Sequence, residues 1–165
     1  MPRNFRTQLA GQIGESLVVA ELGRRDIIST SFAGNVPDID LLAYRDAKTL
    51  HLQVKAWRRG AVSFDATRFL IIQIEDEIQN ITGPVLSLDP TLIYVFVLIG
   101  EQIGMDKFFI LQQSQLQKII HKSYQEFLDL HKGRRPRNQE TTHNSVTLEQ
   151  LTPYQDNWEL IESRL

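Results

Sequence analysis

The sequence contains no cysteine. That excludes disulfide bridges, thiolate-bound zinc and a cysteine nucleophile together, and it suits a cytoplasmic protein. Long apolar runs are missing too. The longest, Leu92 to Ile99, is far too short to cross a bilayer as a helix, so no membrane role is expected. The basic start, Met1 to Arg6, is followed by no apolar run, which argues against a signal peptide. Excess positive charge is also absent: 18 Lys and Arg stand against 20 Asp and Glu, a net charge of −2. Any surface for nucleic acid must then be a local patch, because affinity for phosphates comes from clustered Lys and Arg. There is no internal repeat and no low-complexity segment.

What remains is ordinary for a soluble globular chain. A length of 165 residues with 42% hydrophobic and 23% charged residues suits one domain spanning 1–165 with a core of its own. Residues 5 to 23 carry Leu9, Ile13, Leu17 and Ala20 at helical spacing, and Gly23 marks the end. Asp26 to Phe32 predicts a strand, and the Gly34, Asn35 and Pro37 that follow predict a turn. Asp38 to Tyr44 and Thr49 to Trp57 predict two strands of a hairpin. Ile71, Ile74, Ile78 and Ile81 are spaced three, four and three, which predicts a helix over about 67–81, although Phe69 to Ile72 suits a strand equally. Leu92 to Ile99 and Phe108 to Leu111 predict strands.

Ser114 with Gln117 has the pattern of a capping box opening a helix with Leu116, Ile120, Tyr124, Phe127 and Leu128 inward, ending near Gly133. Residues 133 to 145 are polar and aperiodic, which predicts a mobile loop. Thr152-Pro153-Tyr154-Gln155 suggests a last helix with Tyr154, Trp158, Ile161 and Leu165 on one stripe. This order of elements implies an α/β fold, a three-layer α/β/α sandwich with a mixed central sheet.

A hairpin turn centred between Asp46 and Ala47 makes the numbers of opposed residues sum to 93. Tyr44 then faces Thr49, Leu42 faces His51 and Asp40 faces Gln53. Opposed residues share a face of the sheet, so Asp40, Gln53 and Lys55 converge near the open end of the hairpin. An Asp, an oxygen acceptor and a Lys beside it, with a Glu from a neighbouring helix, suit phosphodiester hydrolysis. Such a reaction needs charge neutralised on the phosphate and a nucleophile made from water. Mg²⁺ bound by carboxylates and waters serves both needs, and a Lys beside it positions the attacking water.

Gly11-Gln12-Ile13-Gly14-Glu15, then Pro37-Asp38-Ile39-Asp40-Leu41-Leu42-Ala43, then Leu52-Gln53-Val54-Lys55 resemble the PD-(D/E)XK nuclease superfamily, with the restriction-endonuclease-like fold. The likeness is nearest to small Holliday-junction-resolvase-like members. The resemblance covers residues 8 to 57 and implies a metal-dependent endonuclease acting on DNA, with Mg²⁺ or Mn²⁺ as cofactor. It implies Glu15, Asp40, Gln53 and Lys55 as catalytic residues. Of these, Glu15, Asp40 and Gln53 would be metal ligands, with the Val54 carbonyl completing the shell, and Asp38 is the alternative to Asp40. Gln53 stands where the family usually has an acid. Certain homing endonucleases are similar in using Q-x-K. A homodimer is expected, since two strands need two sites. The alternatives are a nucleic-acid-binding protein that keeps the nuclease fold without catalysis, and a structural or interaction domain unrelated to nucleic acid.

Arg58 and Arg59 extend the Lys55 strand toward phosphates, and Lys132, Arg134, Arg135 and Arg137 would let the polar loop clamp a nucleic-acid backbone. Against this, a lone Glu15 is most simply a solvated helix residue, Gln53 and Lys55 the wet face of a strand, and the loop a solvated connector. Trp57 suits packing better than base stacking. Glu75-Asp76-Glu77, placed on a helix, would point in different directions and form a solvated surface.

Overall fold

The computed structural model describes residues 3–31 and 39–165, with the side chains of Arg3 and Asn4 excepted. The elements begin with α1 (Arg3–Gly23), β1 (Ile28–Ser31), β2 (Leu41–Arg45) and β3 (Lys48–Trp57). The middle of the chain forms β4 (Val62–Asp65), β5 (Leu70–Glu75), β6 (Ile78–Pro84), β7 (Ile93–Leu98) and β8 (Lys107–Gln112). It closes with α2 (Gln113–Leu130), β9 (His143–Val146), α3 (Leu148–Leu151) and α4 (Glu159–Glu162). Five strands make one mixed sheet in the order β1-β2-β3-β7-β8. Only the β3–β7 pair is parallel; the others are antiparallel.

Strand alternation divides the sheet's side chains between two cores. On one face Leu41, Leu52, Val54, Val95 and Ile110 pack with Val18 and Leu22 of α1 and with Trp158 and Ile161 at the C-terminus. On the other, Tyr94, Phe96, Phe109 and Leu111 pack with Leu116, Ile120, Tyr124 and Leu128 of α2. β7 is buried on both faces, as its continuous apolar run predicts. The result is the expected three-layer sandwich. No helix among the described residues is long and apolar enough to cross a membrane.

The hairpin register is the one the turn implied. Tyr44 pairs with Thr49 and Leu42 with His51, and Asp46 and Ala47 form the two-residue turn with φ of 49° and 64°. The expected helix over 67–81 is instead a second hairpin, β5 with β6. Its tip is Asp76–Glu77, with φ of 50° and 65°, a two-residue turn of the kind that fits strand twist. The isoleucines there are β-branched and favour a pleated surface over a helix. Glu75-Asp76-Glu77 is therefore a hairpin tip and not a helical surface.

Other local expectations shift. α1 turns Ala10, Val18 and Leu22 inward, while Ala20 is exposed. α2 starts one residue before Ser114, and the Gln115 side chain accepts from the Gln112 N–H at 2.8 Å. Gln117 instead ties α2 to the β5–β6 hairpin, donating to the Phe69 and Val85 carbonyls at 2.8 and 3.0 Å. The C-terminal capping box is Thr147 with Gln150, because Thr152–Tyr154 forms a 3-10 turn.

Candidate active site

Asp40 stands one step beyond the last β2–β3 pair, Leu41 with Leu52. Its N–H donates to the Leu52 carbonyl at 2.9 Å, continuing the ladder. Its Oδ2 accepts from the Val54 N–H at 2.7 Å. The carboxylate thus occupies the position of a missing strand partner, which fixes it against β3. Gln53 lies beside it, 4% exposed, and its Oε1 is buried without a hydrogen-bond donor. A buried acceptor left unpaired costs about 1–3 kcal/mol. Lys55 is two residues further along β3, on the same face and half-buried.

Glu15 comes from α1, which packs on the Val54 and Ala56 face of β3, opposite the face that carries Gln53 and Lys55. The helix approaches β3 so closely at Gly14 that a Cβ there would overlap the Cβ of Ala56. Gly14 permits this close approach and so sets how near Glu15 comes to β3. Burial pushes the Glu15 carboxyl up, the Asp40 charge pushes it further, and the Lys55 ammonium pulls it back. Glu15 is therefore within electrostatic reach of both Asp40 and Lys55. Tyr94, the β7 partner of Gln53, is raised to about 12 by burial, with Arg68 lowering it and Asp40 raising it. A Tyr within an otherwise apolar strand was the sequence signal for this neighbour, and the strand's overall apolar character masked it.

Asp38 lies outside the described residues. Among those described, no group of three or more His, Cys, Asp or Glu gathers to hold a metal ion. The oxygen donors at hand are two carboxylates and the Gln53 amide. That set fits a hard cation such as Mg²⁺, which takes oxygen ligands and keeps several waters.

Arg58 and Arg59 line a cleft of about 870 Å³ with Arg6, Ala10, Ala56 and Trp57. Arg59 stands 3.9 Å from Glu101, both highly exposed. Arg6 was not foreseen. It lies four and eight residues before Ala10 and Gly14, and that spacing puts it on the helix face turned toward β3. Trp57 is buried against Phe96 and Phe109, a packing role. His51 stands 4.0 Å from Asp89.

The basic residues of the polar loop separate. Arg135 is 8% exposed, stacked over Tyr124 and Phe127 at 4.7 and 4.6 Å, and donates to the His143 carbonyl at 2.9 Å. It is a packing residue and leaves the phosphate-binding set, because a buried guanidinium stacked on two rings offers a ligand little surface. Arg134 pairs with Glu77 at 3.1 Å. Lys132 and Arg137 are exposed. The segment itself is anchored: Gln79 donates to the carbonyls of Gln139 and Thr141, and β9 pairs with β4.

No family model matches the sequence, and no curated protein matches it. A solved structure does match in three dimensions, a bacterial homing endonuclease, I-Ssp6803I, with a TM-score of 0.55. The two share a fold. The match covers 95% of this chain and 93% of the endonuclease at 12% identity, so it extends well past the motif-bearing first third, through both helical layers.

Proposed function

We propose that this protein is a metal-dependent endonuclease of the PD-(D/E)XK type that hydrolyses DNA phosphodiester bonds. What supports this reading is the electrostatic coupling of Glu15 to Asp40 and Lys55, with Asp40 held against β3 by the Val54 N–H. The shared fold with an endonuclease supports it.

Glu15, Asp40 and the Gln53 Oε1 would hold Mg²⁺ or Mn²⁺. The Val54 carbonyl, on the same strand edge as the Val54 N–H that donates to Asp40, would complete the oxygen set. The bound ion would supply Lewis acidity and lower the pKa of a coordinated water. Lys55 orients the attacking water by hydrogen bonding and offsets negative charge as it grows on the phosphate. Arg6, Arg58 and Arg59 hold flanking phosphates in the adjoining cleft. Cutting both strands requires two copies of the chain.

The test is cleavage of supercoiled, linear and branched DNA in Mg²⁺ or Mn²⁺, with Lys55→Ala alongside. Cleavage lost in the variant is the expected result. A second reading, a DNA-binding protein that does not cut, is favoured by the neutral Gln53 and would show as binding without cleavage. Absence of both binding and cleavage would exclude each.

A further inference from the structure

A second cavity, of about 500 Å³, opens on the α2 side of the sheet beside the candidate site. Ile39, next to Asp40, lines it, as does Tyr94, the β7 partner of Gln53. Phe69 and Leu92 add apolar wall. The lining is mixed, with Thr67, Arg68, Ser87, Asp89, Tyr94 and Gln113 among its polar residues. Gln113, 3% exposed, has its Nε2 buried without an acceptor. Asp89 has Oδ1 occupied by the Thr91 N–H and hydroxyl at 2.8 and 2.6 Å, while Oδ2 faces His51 at 4.0 Å. Arg68 lies at the exposed rim.

We propose that this cavity receives a single unstacked nucleobase from the strand whose phosphate lies at Asp40. The inference rests on the nuclease reading for the source of the base, and on the cavity's own chemistry for its class. Its volume lies in the range of small-molecule sites, about 300–1,000 Å³. Aromatic and aliphatic walls suit the faces of a flat heterocycle. Gln113 lines the cavity with an amide donor that has no acceptor, and a turn of that side chain would offer it to a base edge, whose ring nitrogens and carbonyls accept. Asp89 accepts from an exocyclic amine, while Arg68 at the rim suits the phosphate that the same nucleotide carries. Unstacking a base costs a few kcal/mol, least where it is already unpaired, so the pocket favours branched, bulged or single-stranded positions.

The test needs neither metal nor cleavage. The full chain is titrated with deoxycytidine and deoxyadenosine 5′-monophosphates by NMR, with 2-deoxyribose 5-phosphate as the baseless control. Saturable binding of a nucleotide but not of the control is expected. Gln113→Leu should weaken it about tenfold or more, and Lys122→Ala, on the exposed face of α2, should leave it intact. Replacing an unpaired buried donor by an apolar group of similar size is near neutral for folding, and Gln113→Met serves as a second replacement. Equal binding of the baseless control, no nucleotide binding, or full binding by both Gln113 variants would overturn the proposal. Lys55-dependent cleavage without nucleotide binding sinks the pocket alone; nucleotide binding without cleavage supports the pocket and sinks the enzyme.

Discussion

The close approach of α1 to β3 at Gly14 yields the sharpest prediction. A Cβ added there overlaps Ala56 Cβ and stands 3.4 Å from Val54 Cγ1. Carbon atoms rest about 3.5–4.0 Å apart, so Gly14→Ala must lift the helix from the strand by about 1 Å. Overpacking of this kind costs about 1–3 kcal/mol, offset by about 1 kcal/mol of gained helix propensity. The net expectation is a loss of about 0–2 kcal/mol. Gly11 lies in the same helix with nothing within 4 Å of an added Cβ, so Gly11→Ala should stabilise by about 0.5–1 kcal/mol. Because Glu15 follows Gly14, the lift also carries its carboxylate away from Asp40. On the enzyme reading a misplacement of that size costs roughly 100-fold in rate, far more than the stability loss implies. Urea unfolding and single-turnover cleavage read the two effects, and Ala56→Gly in the Gly14→Ala background should recover most of the rate. Equal stability of the two alanine variants, or no recovery in the double variant, would refute the reasoning.

Three further outcomes follow from the site and its surroundings. Glu15 binds its proton more tightly folded than unfolded, so its contribution to stability is present below the ordinary carboxylate pKa and lost as pH rises through the raised value. Glu15→Gln should therefore raise the melting temperature at about pH 7.5 and leave it nearly unchanged at about pH 4, in metal-free scans. Gln53→Glu should tighten Mn²⁺ binding about tenfold or more, since affinity follows ligand charge, while lowering metal-free stability through repulsion with Asp40; an unchanged calorimetric titration counts against the cation site. Arg135→Ala should cost about 2–3 kcal/mol through the lost ring stacking and the weakened Gln79 contact, against less than about 0.5 kcal/mol for the exposed Arg137→Ala, both by denaturant unfolding.

The first 57 residues were the most legible part of the chain. Hairpin numbering alone placed Asp40 beside Gln53, because strand periodicity and a two-residue turn leave little freedom of register. The β5–β6 hairpin was misread for a physical reason. Its turn is made by Asp76 and Glu77 with positive φ, where Asn-Gly is the usual signal, so the isoleucine spacing imitated a helix. Arg135 was misassigned because its covering rings, Tyr124 and Phe127, lie on another element. Gln113 and the cavity beside Tyr94 depend on contacts between segments far apart in sequence, which no local pattern encodes.

The unequal lengths of β2 and β3 bear on solution behaviour. β3 runs to Trp57, while its last pairing with β2 is at Leu52. Among the described residues no strand pairs the β2 side of β3 beyond that point, where Asp40 accepts from the Val54 N–H; such an edge is a template onto which another chain can add, and lysine and arginine are common guards against it. Lys55, Arg58 and Arg59 stand on and just past that stretch, so charges suited to phosphate also discourage self-association. Neutralising all three at once should make the protein precipitate more readily at high concentration, a colloidal defect separate from any loss of DNA cleavage.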